Sequence, residues 1–189
     1  TIDDAIGEAF DKAATILEAG YPGGPAIEAL ATVGDPEAMK LPVARLGETL
    51  DFSFSGRKTA LLYGVRGRPE GRGRNVTYPR SISDLQQSQR ADAAASFQKA
   101  AVTAIVRNLR RALERHEVRT LLAGGGVTAN TSLRRGLVEV ATAHSIELRL
   151  AEPAYCVDNA AMIAGLGDAL HADGIRHGMD LAAAARVAH

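Results

Sequence analysis

The stretch LLAGGGVTANTSLRRGL, residues 121–137, decides the fold. It joins the end of an apolar run, three consecutive glycines and the start of a helical pattern. Glycine loses more backbone freedom on folding than any other residue, so three in a row are unfavourable to order. Either the chain needs a tight turn between a strand and a helix here, or a ligand lies so close to the backbone that side chains would block it.

The same alternation of strand and helix patterns extends on both sides of the glycines. Residues 118–123 and 146–150 are predicted strands, and residues 128–143 and 159–171 are predicted helices. Nearer the start of the chain, helical spacing over residues 4–19 predicts one helix. A second is predicted after YPGG, with Pro25 at its first position. Strands that alternate with helices indicate an α/β domain.

The middle of the chain has a different pattern. DFSFSGRKTALLYGV, residues 51–65, predicts a short strand followed by a helix with Ser55 as its N-cap. Residues 82–115, rich in Ala and Gln, predict one long helix or two. From Arg57 to Arg80 there are seven basic residues against Glu70 alone. This Gly- and Pro-containing stretch is either a solvated loop or a surface that binds nucleic-acid phosphates.

The composition is that of an ordinary globular domain. The 189 residues are 46% hydrophobic and 23% charged, with a formal net charge of zero. No apolar run approaches the roughly 20 residues of a membrane span. The single cysteine, Cys156, cannot form an intramolecular disulfide, which fits a reducing cytoplasm. Because the chain begins at Thr1, in the middle of a pattern, we expect it to be part of a longer protein.

Four positions are candidates for ligand contact. Asp11 belongs to a stripe of carboxylates on the first helix, which is either a solvated face or part of a site. Gly24, with Gly23 beside it, would let a ligand approach, and Glu28 could accept both hydroxyls of a ribose or simply be a solvated helix residue. Asn130, near the start of the helix after the glycines, could contact a base or phosphate, or cap the helix.

Asp158 precedes an apolar helix in AYCVDNAAMIAGLGDAL, residues 154–170. It is either the N-cap of that helix or a metal ligand, since a carboxylate at a strand-to-helix turn is well placed to coordinate. Neither of the two commonest nucleotide fingerprints, GxxxxGK[ST] and GxGxxG, matches the glycine stretch. On local geometry alone, nucleotide binding and a tight turn therefore both stay open.

Five motifs together resemble one family. DDAIGEAFDKAATIL, YPGGPAIEALA, DFSFSGRKTALL, AGGGVTANTSLR and CVDNAAMIAG follow one another as in the TsaD/Gcp family of tRNA adenosine threonylcarbamoyltransferases. The resemblance implies an α/β fold with a helical insertion, an RNase-H-like lobe of the actin-like/Hsp70/sugar-kinase ATPase fold. Residues 1–189 would be the C-terminal portion of a two-lobed enzyme. In it, residues 1–56 would contact nucleotide, 57–115 form a basic loop and helical region, and 116–189 form the α/β core.

The resemblance also implies site residues. Asp11, Gly24, Glu28 and Asn130 would bind the adenylate of threonylcarbamoyl-AMP, which would lie against the three glycines. Asp158 would be a ligand of a divalent metal, usually iron, with zinc as an alternative. The other ligands would be two histidines of an HxxxH motif in the first half of the family's chain. None of the five histidines here has that spacing: His116, His144, His171, His177 and His189.

The implied reaction needs no protein nucleophile. The exocyclic amine of the adenosine beside the tRNA anticodon would attack the carbamoyl carbonyl, and AMP would leave. TsaB-like and TsaE-like proteins would be the partners and the cytoplasm the location. An actin-like-fold ATPase or kinase, and a non-catalytic scaffold paralogue, are the alternatives. The sequence departs from the family at Arg57, where Leu is usual, at Gly124 and Ala160, and in its ending.

Overall fold

A computed structural model describes residues 3–43, 47, 49–71 and 75–178 of the chain. Within them, six α-helices and two β-strands follow one another, joined in places by short 3-10 turns. In chain order they are α1 (Ile6–Leu17), α2 (Gly23–Ala31), α3 (Ser55–Arg66), α4 (Gln87–Arg115), β1 (Thr120–Ala123), α5 (Thr131–Ala143), β2 (Glu147–Leu150) and α6 (Ala160–Ala172). The predicted α/β class is confirmed.

The core forms where α1 and α2 pack against the long helix α4. Helix α1 is amphipathic: Phe10 and Leu17 on its apolar side are at most 2% exposed, whereas Lys12 on its polar side pairs with Asp4 and Glu8. The ring of Phe10 meets that of Phe97 of α4 edge to face, with centroids 5.4 Å apart. Buried alanines along α4 allow the neighbouring helices to approach closely.

The sheet consists of β1 and β2, which run parallel in a register from Thr120 opposite Glu147 to Ala123 opposite Leu150. Helix α5 connects them, as a parallel pair requires. The three glycines leave the carboxyl end of β1, and Gly125 has a φ of 89°, a conformation that favours glycine. A 3-10 turn, Gly126–Ala129, then leads into α5.

Three local predictions are wrong. Residues 51–54 form no strand. The backbone N–H of Phe54 donates to the Asp3 carboxylate at 2.7 Å, so it is not available to pair with a neighbouring strand. Helix α3 does begin at Ser55, yet the Ser55 hydroxyl donates to Asp3 at 2.8 Å instead of capping the helix. Pro25 is the third residue of α2, not the first.

The basic stretch is not uniformly solvated. Arg57 lies inside it in sequence but is only 2% exposed, with its guanidinium over the ring of Phe54. Among the described helices, none has both the length and the apolar composition that crossing a bilayer requires.

Candidate functional site

A cavity of about 440 Å³ lies between α1, the start of α2 and the turn that precedes α5. Its wall brings together all four residues predicted to contact a ligand: Asp11, Gly24, Glu28 and Asn130. Gly126 of the glycine stretch and Val157, the neighbour of Asp158, also line it. Residues from distant parts of the sequence therefore share one concave surface.

The half-buried carboxylate of Asp11 fixes the start of α2. Its Oδ1 accepts the backbone N–H of Gly23 at 2.9 Å. This N–H belongs to the first turn of the helix, where backbone donors have no partner inside the helix. No other described residue binds the Asp11 side chain, so its second oxygen keeps its acceptor capacity.

Glu28 binds the N-terminus of another helix, α5, in the same way. Its Oε1 accepts the backbone N–H of Thr131 at 2.7 Å, which joins α2 to the first residue of α5. A carboxylate is favourable there because the N-terminus of a helix carries partial positive charge. Within the described part of the chain, Oε2 of Glu28 makes no hydrogen bond.

Adjacent glycines at the start of α2 have different surroundings. A Cβ on Gly23 would lie 2.5 Å from the Cα of Asp11, so packing excludes a side chain there. A Cβ on Gly24 would meet no atom within 4 Å. Gly24 borders the cavity, and its missing side chain leaves that part of the space open.

Asn130 is 7% exposed and caps α5. Its Oδ1 accepts the N–H of Leu133 at 2.9 Å, and its Nδ2 donates to Oε1 of Gln98 at 2.7 Å. The capping interpretation is therefore confirmed. It does not exclude a ligand contact, because an amide oxygen has two lone pairs and an amide nitrogen two hydrogens.

Gln98 is a residue that we did not predict as part of the site. It is 8% exposed on α4 and orients Asn130, while its Nε2 donates to the hydroxyl of Ser132 at 3.1 Å. A signal was present in the sequence: Gln98 is an amide at helical spacing from Ala94 and Ala101 on a mostly apolar face that also carries Asn108.

The three glycines have separate surroundings. Gly125 adopts the positive φ that the turn needs, and Gly126 lines the cavity described above. Gly124 instead lines a neighbouring apolar cavity of about 450 Å³ between β1, α4 and α5. The turn interpretation is confirmed at Gly125, whereas close approach of a ligand stays a prediction, for which Gly126 offers a position at the cavity wall.

The alternative that Asp158 caps α6 is wrong. Asn159 is the N-cap, and its Oδ1 accepts the N–H of Met162 at 3.0 Å. Asp158 is exposed, and no described residue engages its carboxylate, which is chemically suited to a divalent ion. Within the described ranges, no three His, Cys, Asp or Glu side chains come together as a metal site.

Cys156, two residues before Asp158, is 3% exposed. Its Sγ lies 3.3 Å from the Thr128 hydroxyl and 3.4 Å from Nη2 of Arg134. The burial agrees with the prediction that this cysteine packs as a small hydrophobic residue.

Comparisons with known proteins identify the family. The sequence profile of TsaD, described as tRNA N6-adenosine threonylcarbamoyltransferase, matches residues 1–165. A protein of that name from Symbiobacterium thermophilum is 44% identical over 181 residues, which are 96% of this chain and 49% of the relative. One from Geobacter sp. strain M21 is 43% identical over 182 residues, again 96% and 49%. One from Anaeromyxobacter sp. strain Fw109-5 is 45% identical over 185 residues, 96% and 51%. The chain spans about half the length of these curated relatives, and it belongs to the TsaD family.

Proposed function

We propose that this chain supplies part of the substrate site of a tRNA N6-adenosine threonylcarbamoyltransferase. In this proposal the cavity binds the adenylate of threonylcarbamoyl-AMP, and the threonylcarbamoyl group passes to the exocyclic amine of the adenosine beside the anticodon. The observation that carries it is the meeting of Asp11, Gly24, Glu28 and Asn130 around one cavity of about 440 Å³. Cavities of roughly 300–1,000 Å³ are typical of small-molecule sites.

The carboxylates supply preorganised acceptors. In both Asp11 and Glu28 one oxygen accepts a backbone N–H, and the other, which no described residue engages, is available to accept a hydroxyl of the ribose. Because these side chains are already ordered, binding loses little of their conformational freedom. The remaining donor and acceptor capacity of Asn130 can pair with a polar edge of the base or with the phosphate. Gly24 and Gly126 leave the room that the ligand occupies.

The reaction that follows is a group transfer between two substrates. A C–N bond forms between the amine of the adenosine and the carbamoyl carbon. The bond from that carbon to the phosphate oxygen breaks, AMP leaves with the electron pair, and the amine gives up a proton. The cavity side chains position the reacting carbonyl, and none of them has to form a covalent intermediate.

Asp158 fits the role of a metal ligand, because its carboxylate is exposed and unengaged within the described part of the chain. We propose that it holds a divalent ion, iron or zinc, together with two histidines of an HxxxH motif outside these 189 residues. Such an ion, when bound, would orient the threonylcarbamoyl group and polarise its carbonyl.

In the same proposal the chain folds as an RNase-H-like lobe with a helical insertion. Residues 1–56 contact nucleotide, residues 57–115 form the basic loop and helical region, and residues 116–189 form the α/β core. The enzyme acts in the cytoplasm with TsaB-like and TsaE-like partners. An actin-like-fold ATPase or kinase is the rival function. Rapid transfer or hydrolysis of the γ-phosphate of ATP, without modification of tRNA, would favour that rival.

Charge-neutral variants of the two carboxylates test the proposal. Asp11→Asn and Glu28→Gln, each made in the complete gene product that contains this chain, should weaken binding of a non-hydrolysable adenylate analogue at least about tenfold, a loss of about 1.4 kcal/mol. Titration calorimetry and a tRNA modification assay would measure it. Glu8→Gln, on α1 but paired with Lys12, is the control and should bind normally. Wild-type affinity and transfer in both cavity variants would refute the assignment.

A further inference from the structure

We propose that the two paired arms of a basic hairpin, residues 66–71 and 75–80, bind the sugar–phosphate backbone of the RNA substrate; this rests on the proposed function. The hairpin leaves the end of α3 and returns beside it. Glu70 and Thr77 exchange two backbone hydrogen bonds of 2.9 Å, and the N–H of Arg80 donates to the carbonyl of Arg66 at 3.1 Å. Residues 72–74 lie outside the described residues, so the proposal rests on the remainder.

Two guanidinium groups are ordered at the base of the hairpin. Arg66 lies over the ring of Tyr78, 4.7 Å from its centroid, and Nη2 of Arg80 donates to the carbonyl of Gly64 at 2.8 Å. Arginine has five N–H donors, so each group keeps donors for a further acceptor. Ordered guanidiniums suit phosphate oxygens because the planar donor fork matches them in two-point hydrogen bonds.

No described carboxylate neutralises the positive charge of the hairpin. Among the described residues, no carboxylate forms an ion pair with Arg66, Arg68 or Arg80, and both Arg68 and Arg80 are exposed. Among the described residues Arg110, Arg119 and Arg135 also have no carboxylate in an ion pair, so the hairpin is distinguished by how close together its arginines lie in sequence. A local excess of unpaired arginine on a chain with zero net charge indicates a polyanionic partner.

The stacked pair at the base favours RNA over an anionic lipid surface. Arg66 covers one face of the Tyr78 ring, and unpaired bases stack on both arginine planes and aromatic rings, whereas lipid headgroups do not. Tyr63, 38% exposed near the end of α3, adds a second aromatic side chain close to the hairpin in sequence. The chemistry therefore fits a nucleic acid that has both phosphates and accessible bases.

A triple variant, Arg66→Gln with Arg68→Gln and Arg80→Gln, tests the hairpin in the complete gene product. Binding of tRNA would be measured by filter binding between about 50 and 200 mM salt. Each lost phosphate contact removes about 0.7–0.9 from the slope of log affinity against log salt, so we expect the slope to fall by about two to three. The KM for tRNA should rise about tenfold or more, and the KM for threonylcarbamoyl-AMP should stay unchanged.

Two matched variants separate charge from structure. Replacing the same three arginines by lysine keeps the charge and should keep most of the salt slope. Lys40→Gln with Lys99→Gln and Arg149→Gln removes equal charge elsewhere and should leave tRNA binding unaltered. An unchanged salt slope and an unchanged KM for tRNA in the glutamine triple variant would overturn the proposal. The same variant would also be tested on phosphatidylserine vesicles. If it lost binding to the vesicles but kept its affinity for tRNA, the proposal would be wrong. If the wild type modifies no tRNA, the proposed function fails. The salt slope of tRNA binding would still show whether the hairpin binds RNA.

Discussion

At the scale of single residues, the adjacent glycines Gly23 and Gly24 lack a side chain for different reasons. Packing against Asp11 requires glycine at position 23, whereas we propose that ligand binding requires it at position 24. A Cβ on Gly23 would collide with Asp11, and overpacking of this kind destabilises by about 1–3 kcal/mol. A Cβ on Gly24 meets nothing, and alanine is favoured over glycine in a helix by about 1 kcal/mol. We therefore expect Gly23→Ala to lower the free energy of unfolding and Gly24→Ala to leave it equal or higher, as measured by urea denaturation.

Gly24 also predicts an effect on ligand binding. A larger side chain at position 24, as in Gly24→Val, would project into the cavity and should reduce adenylate affinity about tenfold or more, in a protein that stays folded. Gly56→Val is the matched control, because Gly56 also lies in the first turn of a helix with open space around it but does not line the cavity. Undiminished affinity in Gly24→Val would remove this cavity from consideration as the adenylate site.

At the scale of elements, the loop before α3 depends on one carboxylate. Burial by itself raises the pKa of Asp3, but hydrogen bonds from the Ser53 hydroxyl, the Phe54 N–H and the Ser55 hydroxyl lower that pKa far below its usual range. Unfolded aspartate titrates near about 3.9, so this stabilisation is complete above that pH and is lost as the pH falls below it. Asp3→Asn should flatten the decline in the free energy of unfolding between about pH 4 and pH 2. Chemical denaturation at several pH values measures this free energy. If it declines with falling pH as steeply in Asp3→Asn as in the wild type, Asp3 contributes nothing to the decline.

Arg57, on α3, is a second feature of the same region. Its Nη1 donates to the carbonyl of Ser53 at 2.7 Å, while its buried Nε has no partner among the described residues. Burial and the nearby Arg107 both lower the pKa of Arg57, which shows how unfavourable a charge is here, although Asp3 opposes them. Arg57→Leu should raise the free energy of unfolding by about 1 kcal/mol or more. Arg57→Lys keeps the charge and should not; destabilisation by Arg57→Leu would show that the Ser53 hydrogen bond and the Phe54 ring outweigh the burial of charge.

At the scale of the whole molecule, the predictable features were those encoded locally. Periodicity predicted α1, α4, α5 and the two strands, because each pattern depends on neighbours in sequence. The strand at residues 51–54 failed because Asp3, 51 residues from Phe54, takes its N–H. The cap at Asp158 failed because Asn159, an equally good cap, follows it. Motifs predicted the carboxylates of the site, whereas the contact of Gln98 with Asn130 depends on how α4 packs against α5.

The last prediction concerns the 189 residues produced alone. The chain spans about half the length of its relatives, and Ile163 and Leu166 of α6 and Leu122 of β1 are between 57% and 71% exposed. Apolar side chains at this exposure bind hydrophobic dyes, and one carboxylate holds a divalent ion weakly. We expect the isolated chain to bind 1-anilinonaphthalene-8-sulfonate more strongly than the complete gene product, to retain little metal by mass spectrometry, and to transfer no threonylcarbamoyl group to tRNA. Transfer by the isolated chain would refute the two-lobed interpretation, because the site would then be complete without further residues.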